Sequence, residues 1–245
     1  MRIRSCMTLA AALAQSPLAL AAQATAGEAG QLEVIVAPYF LAPYMNGTLG
    51  INGLTATVSA DPGDIFDKLQ FGAMLVVEVR KGAWGGTVDG LYMNLEQDAE
   101  RENVAATASG KQGAVDVSVF RTLLPTVDVL LGARVNVLEG GLVIPATATD
   151  VSQSQTWVDP IVGVRLWAPT GAGRWRLGIR ADVGGFGIGS DLAYQIYPIV
   201  GFRASSLLSF HAAYRILDMK YESGDADFVY DMTTFGPQLG LALHF

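Results

Sequence analysis

The chain has one cysteine, two histidines and few charges: Lys, Arg, Asp and Glu make up only 16% of its 245 residues, where a soluble domain carries about a quarter. The cysteine, Cys6, lies in the N-terminal segment ahead of most of an apolar run. A chain processed beyond it holds no thiol, which excludes thiol catalysis, disulfide staples and thiolate metal sites. Basic residues are scarce as well. The formal net charge is −7, and without Arg2 and Arg4 the remaining 14 basic residues stand against 23 acidic ones, leaving −9. Nucleic acid is therefore excluded as an expected partner. After the N-terminal segment no apolar run is long enough for a membrane helix.

What is present points to a membrane all the same. Hydrophobic residues reach 51%, with 28 Gly, and the mean hydropathy is +0.33. Hydropathy spread over alternating segments rather than gathered in blocks fits a β-barrel. The start, Met1-Arg2-Ile3-Arg4, is basic. The mostly apolar run Met7–Ala22 and the small-residue patterns Ala19-Leu20-Ala21 and Ala24-Thr25-Ala26 follow it. That order predicts a cleaved signal peptide over residues 1–26 and one barrel domain over 27–245. Gln15-Ser16-Pro17 interrupts the run and argues against a first transmembrane helix.

Period-two alternation recurs over lengths of about ten residues, enough for a tilted strand to cross hydrocarbon. The apolar parity is Leu32, Val34, Val36, Pro38 and Phe40 in the first segment, and Phe71, Ala73, Leu75, Val77 and Val79 in the next. It continues as Val127 to Val137, Val158 to Leu166, Trp175 to Val183 and Leu192 to Phe202. In Trp84–Gln97, Ala114–Leu123 and Leu207–Tyr221 the parity slips, which predicts bulges or emergence above the membrane. Pro38, Pro160 and Pro198 sit on the lipid-facing parity and predict bulges or strand ends. Tight connections at 81–83, 124–126, 169–173 and 204–206 alternate with longer ones near 98–112, 139–155, 184–190 and 222–227, as short periplasmic turns and external loops would. The expected fold is an all-β, antiparallel transmembrane β-barrel of ten strands, with twelve or eight as alternatives. An excursion over 46–69 holds a possible extra hairpin and a short helix begun by Asp61-Pro62, with Ile65, Phe66 and Leu69 on its apolar side.

The last segment sets Phe235, Pro237, Leu239, Leu241, Leu243 and Phe245 against Gly236, Gln238, Gly240, Ala242 and His244. It resembles the C-terminal signal of bacterial outer-membrane barrels, carried by Gln238, Gly240, Leu243 and Phe245. That resemblance implies the outer-membrane insertion machinery as a partner, the outer membrane as the location and its lipids as the surroundings. Trp157–Gly163, Asp182–Asp191, Tyr214–Asp218 and Gly236–Leu241 resemble a largely uncharacterised family of proteobacterial outer-membrane barrels. The likeness covers mainly 157–245. Asp159 and the Gly-rich segment are its distinctive features, and Met219-Lys220 departs from it. It implies fold and location and carries no substrate.

The inward parity collects Arg134, Arg165, Arg176, Arg180, Arg203 and Arg215 with Asp128, Asp159, Asp182 and Asp191. A network of lumen ion pairs over Arg134, Asp159, Arg165, Arg180, Asp182, Asp191 and Arg215 is expected, since such barrels have polar interiors. Pairing about the turn would set Asp182 opposite Asp191 with Asp159 alongside, a second reading as a cation site. Ser209 and His211 share a face, but no third catalytic member is visible, and both read as lumen fillers. Gly184–Ser190 is followed by a strand rather than the helix a phosphate loop needs, so its glycines read as a turn. Trp84, Trp167, Trp175, Phe202 and Tyr221 read as interfacial aromatics. No cofactor and no enzymatic activity is expected. The expected role is structural or at the cell surface, with a narrow solute channel and a lipid-modifying enzyme as the alternatives. The oligomeric state is open.

Overall fold

The computed structural model describes residues 30–51, 54–101, 104–144, 149–169, 173–224 and 228–245. The expected signal peptide and Cys6 lie outside the described residues. Among the described residues twelve strands form one antiparallel sheet: β1 (Leu32–Leu41), β2 (Tyr44–Ile51), β3 (Leu54–Ala60), β4 (Leu69–Lys81), β5 (Trp84–Arg101) and β6 (Val104–Leu124) make up the first half. The second half is β7 (Val127–Ile144), β8 (Thr149–Pro169), β9 (Trp175–Gly184), β10 (Leu192–Arg203), β11 (Leu208–Glu222) and β12 (Phe228–His244). β1 and β4 to β12 follow in order around a ring, and β1 pairs with β12 to close it. Val34 and Phe245 exchange both backbone hydrogen bonds at the closure, at 3.0 and 2.8 Å. Closure removes the edges that a membrane sheet cannot leave unpaired. The fold is a closed ten-stranded antiparallel barrel with two extra strands.

The extra strands arise from a break in the first hairpin. β1 meets β12 as Leu41↔Gln238, and β2 resumes the same register as Tyr44↔Phe235. Ala42 and Pro43 kink the chain between them, and Ala42 N–H still donates to Pro237 O at 3.0 Å. A Cβ at Gly236 would lie 2.0 Å from Ala42 O, so the kink needs glycine there. β3 turns back along β2, and helix α1 (Pro62–Phe66) leads into β4. Asp61 caps α1 reciprocally with Asp64, and Pro62 opens it. Phe66 stacks on Phe40 at 5.0 Å between ring centroids, which seats the helix on the wall where β1 and β4 stop pairing at Pro38↔Leu75.

Side-chain parity holds around the whole wall. Val117, Val119, Leu131, Val158, Leu177, Ile196, Phe210 and Leu239 are exposed on the outside, while their sequence neighbours face in, among them the buried Asp116, Ser118, Asp159, Gln195, Ser209 and Gln238. The three segments where parity was expected to slip keep it. Trp84, Val88 and Tyr92 face out, as do Val115, Val117 and Val119, while Thr87, Asp89, Met93, Asp116, Ser118 and Phe120 are buried inside. Glycine outside (Gly86, Gly90) and large apolar groups inside (Met93, Phe120, Met219) disguise the alternation. One register shift, at Leu69/Phe71, lies outside these segments, and the other, at Thr122/Leu124, falls at the end of Ala114–Leu123, where a bulge was expected. Pro160 and Pro198 stand in register as Ala133↔Pro160 and Pro198↔Ile179, so neither marks a bulge.

The rim opposite the tight turns is uneven. β6 and β8 have 21 residues each and β5 and β7 have 18, whereas β9 has 10 and β10 has 12. A strand needs about 9–11 residues to cross hydrocarbon, so β5–β8 stand far clear of it. The stretches 98–112 and 139–155, expected as loops, are mostly strand extensions. Their Ala, Thr, Ser and Gln made them look like loop, yet pairing continues into water because each hairpin supplies its own ladder partner.

Candidate functional site: the barrel lumen

Strand pairing gathers the lumen side chains into levels. Nearest the tight turns, Arg80 contacts Glu78 at 3.2 Å and Asp128 at 3.4 Å, and Arg165 reaches Glu78 at 2.6 Å and Asp128 at 3.0 Å. Phe120 packs beneath this group, with the Arg165 guanidinium carbon 4.0 Å from its ring centre. At mid-height Arg134 donates from Nε and Nη2 to the two oxygens of Asp116, at 2.7 and 2.9 Å, and from Nη2 to Asp182 at 3.1 Å. Arg180 bonds the same two carboxylates, and Gln195 donates to Asp182 at 3.1 Å. Arg215 on β11 spans the lumen to Asp89 on β5, while Tyr39 also donates to Asp89 at 2.8 Å. Arg134 is 1% exposed. Fork-shaped guanidinium against carboxylate is the geometry in which such burial is tolerable.

These ion pairs join five arginines to five carboxylates, and each paired group balances within itself: two against two, two against two, one against one. The expected members Arg134, Arg165, Arg180, Asp182 and Arg215 all stand in it. Asp159 and Asp191 do not. Asp159 is fully buried on β8 and accepts from Ser190 N–H at 2.5 Å, Ser190 Oγ at 3.0 Å and Asn136 Nδ2 at 3.0 Å. Asp191 is exposed, its backbone tied to Lys220 O at 2.8 Å. The residue opposite Asp182 is Gln195 rather than Asp191, because residues 185–191 are all used in the connection. The cation site drawn from Asp159, Asp182 and Asp191 is thereby overturned. Among the described residues no three carboxylates or histidines are placed to hold a metal. Sequence reasoning missed Asp89 and Asp116, which lie in segments whose parity was misread; Glu78 stands on the inward parity of Phe71–Arg80 as read, but was not drawn into the network.

The 185–191 connection is the barrel's low rim. Gly185, Phe186 and Gly187 have positive φ, and a Cβ at Gly189 would fall 2.3 Å from Val158 O. Ser190 is drawn inward, where Trp157 Nε1 donates to its hydroxyl at 3.0 Å. Ile188 is 77% exposed, at the level where short β9 and β10 leave the hydrocarbon.

Above the ionic levels the lumen is apolar. Trp157, Ala193, Met219, Phe228, Tyr230 and Met232 form one buried cluster, with Met45, Leu49, Val58, Leu138 and Leu217 against it. Trp157 stacks on Tyr221 at 4.4 Å, and Gln155 and Gln112 donate to the Tyr221 and Tyr230 hydroxyls at 2.7 and 3.2 Å. Tyr221 is thus a lumen residue, and Trp167 also faces in under Arg176. Trp84, Trp175 and Phe202 stand on the outer face. A cavity of about 20 Å³ remains between plug and ionic levels, room for about one water.

At the opposite end, Ser209 Oγ lies 2.9 Å from His244 Nε2, and His244 Nδ1 lies 3.3 Å from Glu33 Oε1. The partner of Ser209 is therefore His244. A third member, Glu33, is present where the sequence offered none.

A polar, charge-balanced interior inside an apolar wall defines the class: the chain has the fold of the small outer-membrane β-barrels. No protein-family model matches the sequence, and no curated protein is significantly similar to it. Among solved structures it is similar to the attachment invasion locus protein Ail of Yersinia pestis, at 10% identity and TM-score 0.42, covering 87% of this chain and 98% of that one. It is similar to the outer membrane protease OmpT from Escherichia coli at 8% identity and TM-score 0.42, covering 89% and 98%. The translocator domain of the autotransporter NalP from Neisseria meningitidis gives 10% identity and TM-score 0.41, covering 93% of each chain. Similarity this low carries no function across.

Proposed function

We propose that the protein is a sealed outer-membrane barrel with a structural and surface role, which fixes the tall β5–β8 wall outside the cell. The observation that carries this reading is the ionic network, whose Arg165–Glu78 and Arg215–Asp89 pairs tie non-neighbouring strands across the lumen. A conducting lumen would need those pairs parted at every level. Narrow barrels whose side chains meet across the interior are packed rather than porous. The tight-turn rim is assigned to the periplasm and the β5–β8 rim to the outside, following the asymmetry of turns and loops in this class. Outer-membrane lipids surround the apolar wall. Gln238, Gly240, Leu243 and Phe245 are proposed as the signal read by the insertion machinery; of these, Leu243 and Phe245 share the outward face of β12, and Gln238 is buried inside.

Single-channel recording in planar bilayers tests the proposal. Insertion verified by heat-modifiable gel migration, with no conductance steps, is the expected result. Discrete steps from the folded protein would overturn it in favour of a narrow solute channel.

A further inference from the structure

The periplasmic rim joins residues from opposite ends of the chain. β12 lies between β1 and β11, with Ile35↔His244 on one side and Ser209↔Ala242 on the other. Glu33, Ser209 and His244 share the inward parity of their strands, so barrel closure brings a carboxylate, an imidazole and a hydroxyl into one line. Ser209 Oγ meets Nε2 at 2.9 Å and Glu33 meets Nδ1 at 3.3 Å, so each partner takes a different ring nitrogen. That is the arrangement a serine nucleophile requires: a base in hydrogen-bond reach, oriented by a third group at its far nitrogen.

We propose that Ser209, His244 and Glu33 form an acyl-transfer site acting on small water-soluble carboxylic esters that enter from the periplasmic side. The substrate class follows from where the site faces. Ser209 is buried inside the wall, and the Glu33 side chain is 44% exposed, opening the group to water. The apolar residues at this height, Trp175, Phe202, Phe210 and Leu239, line a hollow on the other side of the wall, so lipid does not reach the hydroxyl. Arg203 completes the surroundings. Its Nε and Nη2 are held by Ser205 O at 3.0 Å and Ser206 O at 2.6 Å, which places Nη1 3.3 Å from His244 Nε2. A cationic donor so fixed stands at the edge of the imidazole, 3.0 Å from Nδ1 as well.

In the reaction, Ser209 Oγ bonds to the ester carbonyl carbon while its proton passes to His244 Nε2. The bond to the leaving oxygen breaks, and the alcohol departs with that proton. Water then attacks the acyl-serine, giving up a proton to Nε2. The bond to Oγ breaks, Ser209 takes the proton back, and the carboxylic acid leaves. Glu33 accepts from Nδ1–H throughout and balances the charge on the ring. The opposite tautomer, with Arg203 Nη1 donating to Nδ1 across 3.0 Å and Nε2–H donating to Ser209, would be inert.

The test uses the full chain isolated from membranes in detergent, its fold verified by heat-modifiable migration. It is treated with a fluorophosphonate probe and assayed with p-nitrophenyl butyrate. The expected result is phosphonylation mapped to Ser209, with hydrolysis lost in Ser209→Ala and reduced at least about a hundredfold in His244→Gln. Glu33→Gln should lower kcat more than it raises KM. A folded protein that takes no label at Ser209 and hydrolyses the ester no faster than Ser209→Ala overturns the proposal, whether or not the barrel conducts.

Discussion

Replacing Arg134 by Met tests the ionic interior most directly. Arg134 supplies three of the hydrogen bonds that hold Asp116 and Asp182. Without it Asp116 keeps one long contact, 3.3 Å from Arg180 Nη2. Asp182 keeps Arg180 Nε at 2.8 Å and Gln195 at 3.1 Å. Two buried carboxylates then share one guanidinium, leaving one negative charge uncompensated. Breaking a buried pair in this way costs about 3–5 kcal/mol, and because Arg180 remains, the expected loss is near the low end, about 3 kcal/mol. The variant Arg134→Met with Asp116→Leu removes the surplus charge and leaves the neutral Arg180–Asp182–Gln195 group. Its expected stability is within about 1 kcal/mol of the wild type, so the second substitution recovers what the first lost. Urea unfolding in lipid vesicles, followed by tryptophan fluorescence, gives all corners of the cycle. A loss below about 1 kcal/mol for the single variant is what a solvent-exposed pair gives, and it would refute a dry interior at this level.

Three further perturbations follow from the geometry. Asp159→Asn should loosen the 185–191 connection by about 1–3 kcal/mol, since Trp157 donates to Ser190, Ser190 donates to Asp159 and an amide NH₂ would meet those donors; unchanged hydrogen exchange at the Ser190 amide would count against it. Gly236→Ala should lower the yield of heat-modifiable barrel, because its methyl would meet Ala42 O at 2.0 Å; a wild-type yield would show that the β1–β2 kink is soft. Trp157→Ala should cost about 3–5 kcal/mol, because its ring packs on Tyr221, Phe228 and Tyr230; equal acrylamide quenching of the remaining tryptophans in the two proteins would show that the plug stays closed.

Sequence alternation carried the barrel because the two faces of its wall meet two different solvents. In Val127–Leu138 the outward valines and leucine alternate with Asp128, Arg134 and Asn136, and the structure keeps that assignment throughout. The same rule failed to show where Asp89 and Asp116 go, because Gly86 and Gly90 put no bulk outside, and Met93 and Phe120 put bulk inside. Size and polarity then give opposite answers, and only the pairing partners decide. Contacts between strands were harder still. Asp191 drops out of the interior because the low rim uses seven residues, and that length is fixed by Asp159 holding Ser190, a contact between residues 31 apart. Glu33 and His244 lie 211 apart, and only the β1–β12 register brings them together.

The levels of the lumen also say how the seal behaves. A single large field would make the interior respond as a whole to loss of one charge, as a charged filter does. Here each arginine–carboxylate group is neutral within itself, and at about 20 in effective dielectric a neutral group a few ångströms across has little influence on the next level. Loss of Arg134 therefore weakens the middle level while Arg165 still ties β8 to β4 below it. The Trp157–Tyr221–Tyr230 plug above contains no charge and is held by burial instead. In the sealed barrel proposed above, closures of different chemistry lie in series, so neither high salt, which screens the ions, nor removal of one aromatic ring should open a continuous path. Arg134→Met combined with Trp157→Ala should remain electrically silent as long as the Arg165–Glu78 and Arg215–Asp89 crossings persist. Conductance in that double variant would mean that the crossings part easily, and that the wall alone keeps the barrel's shape.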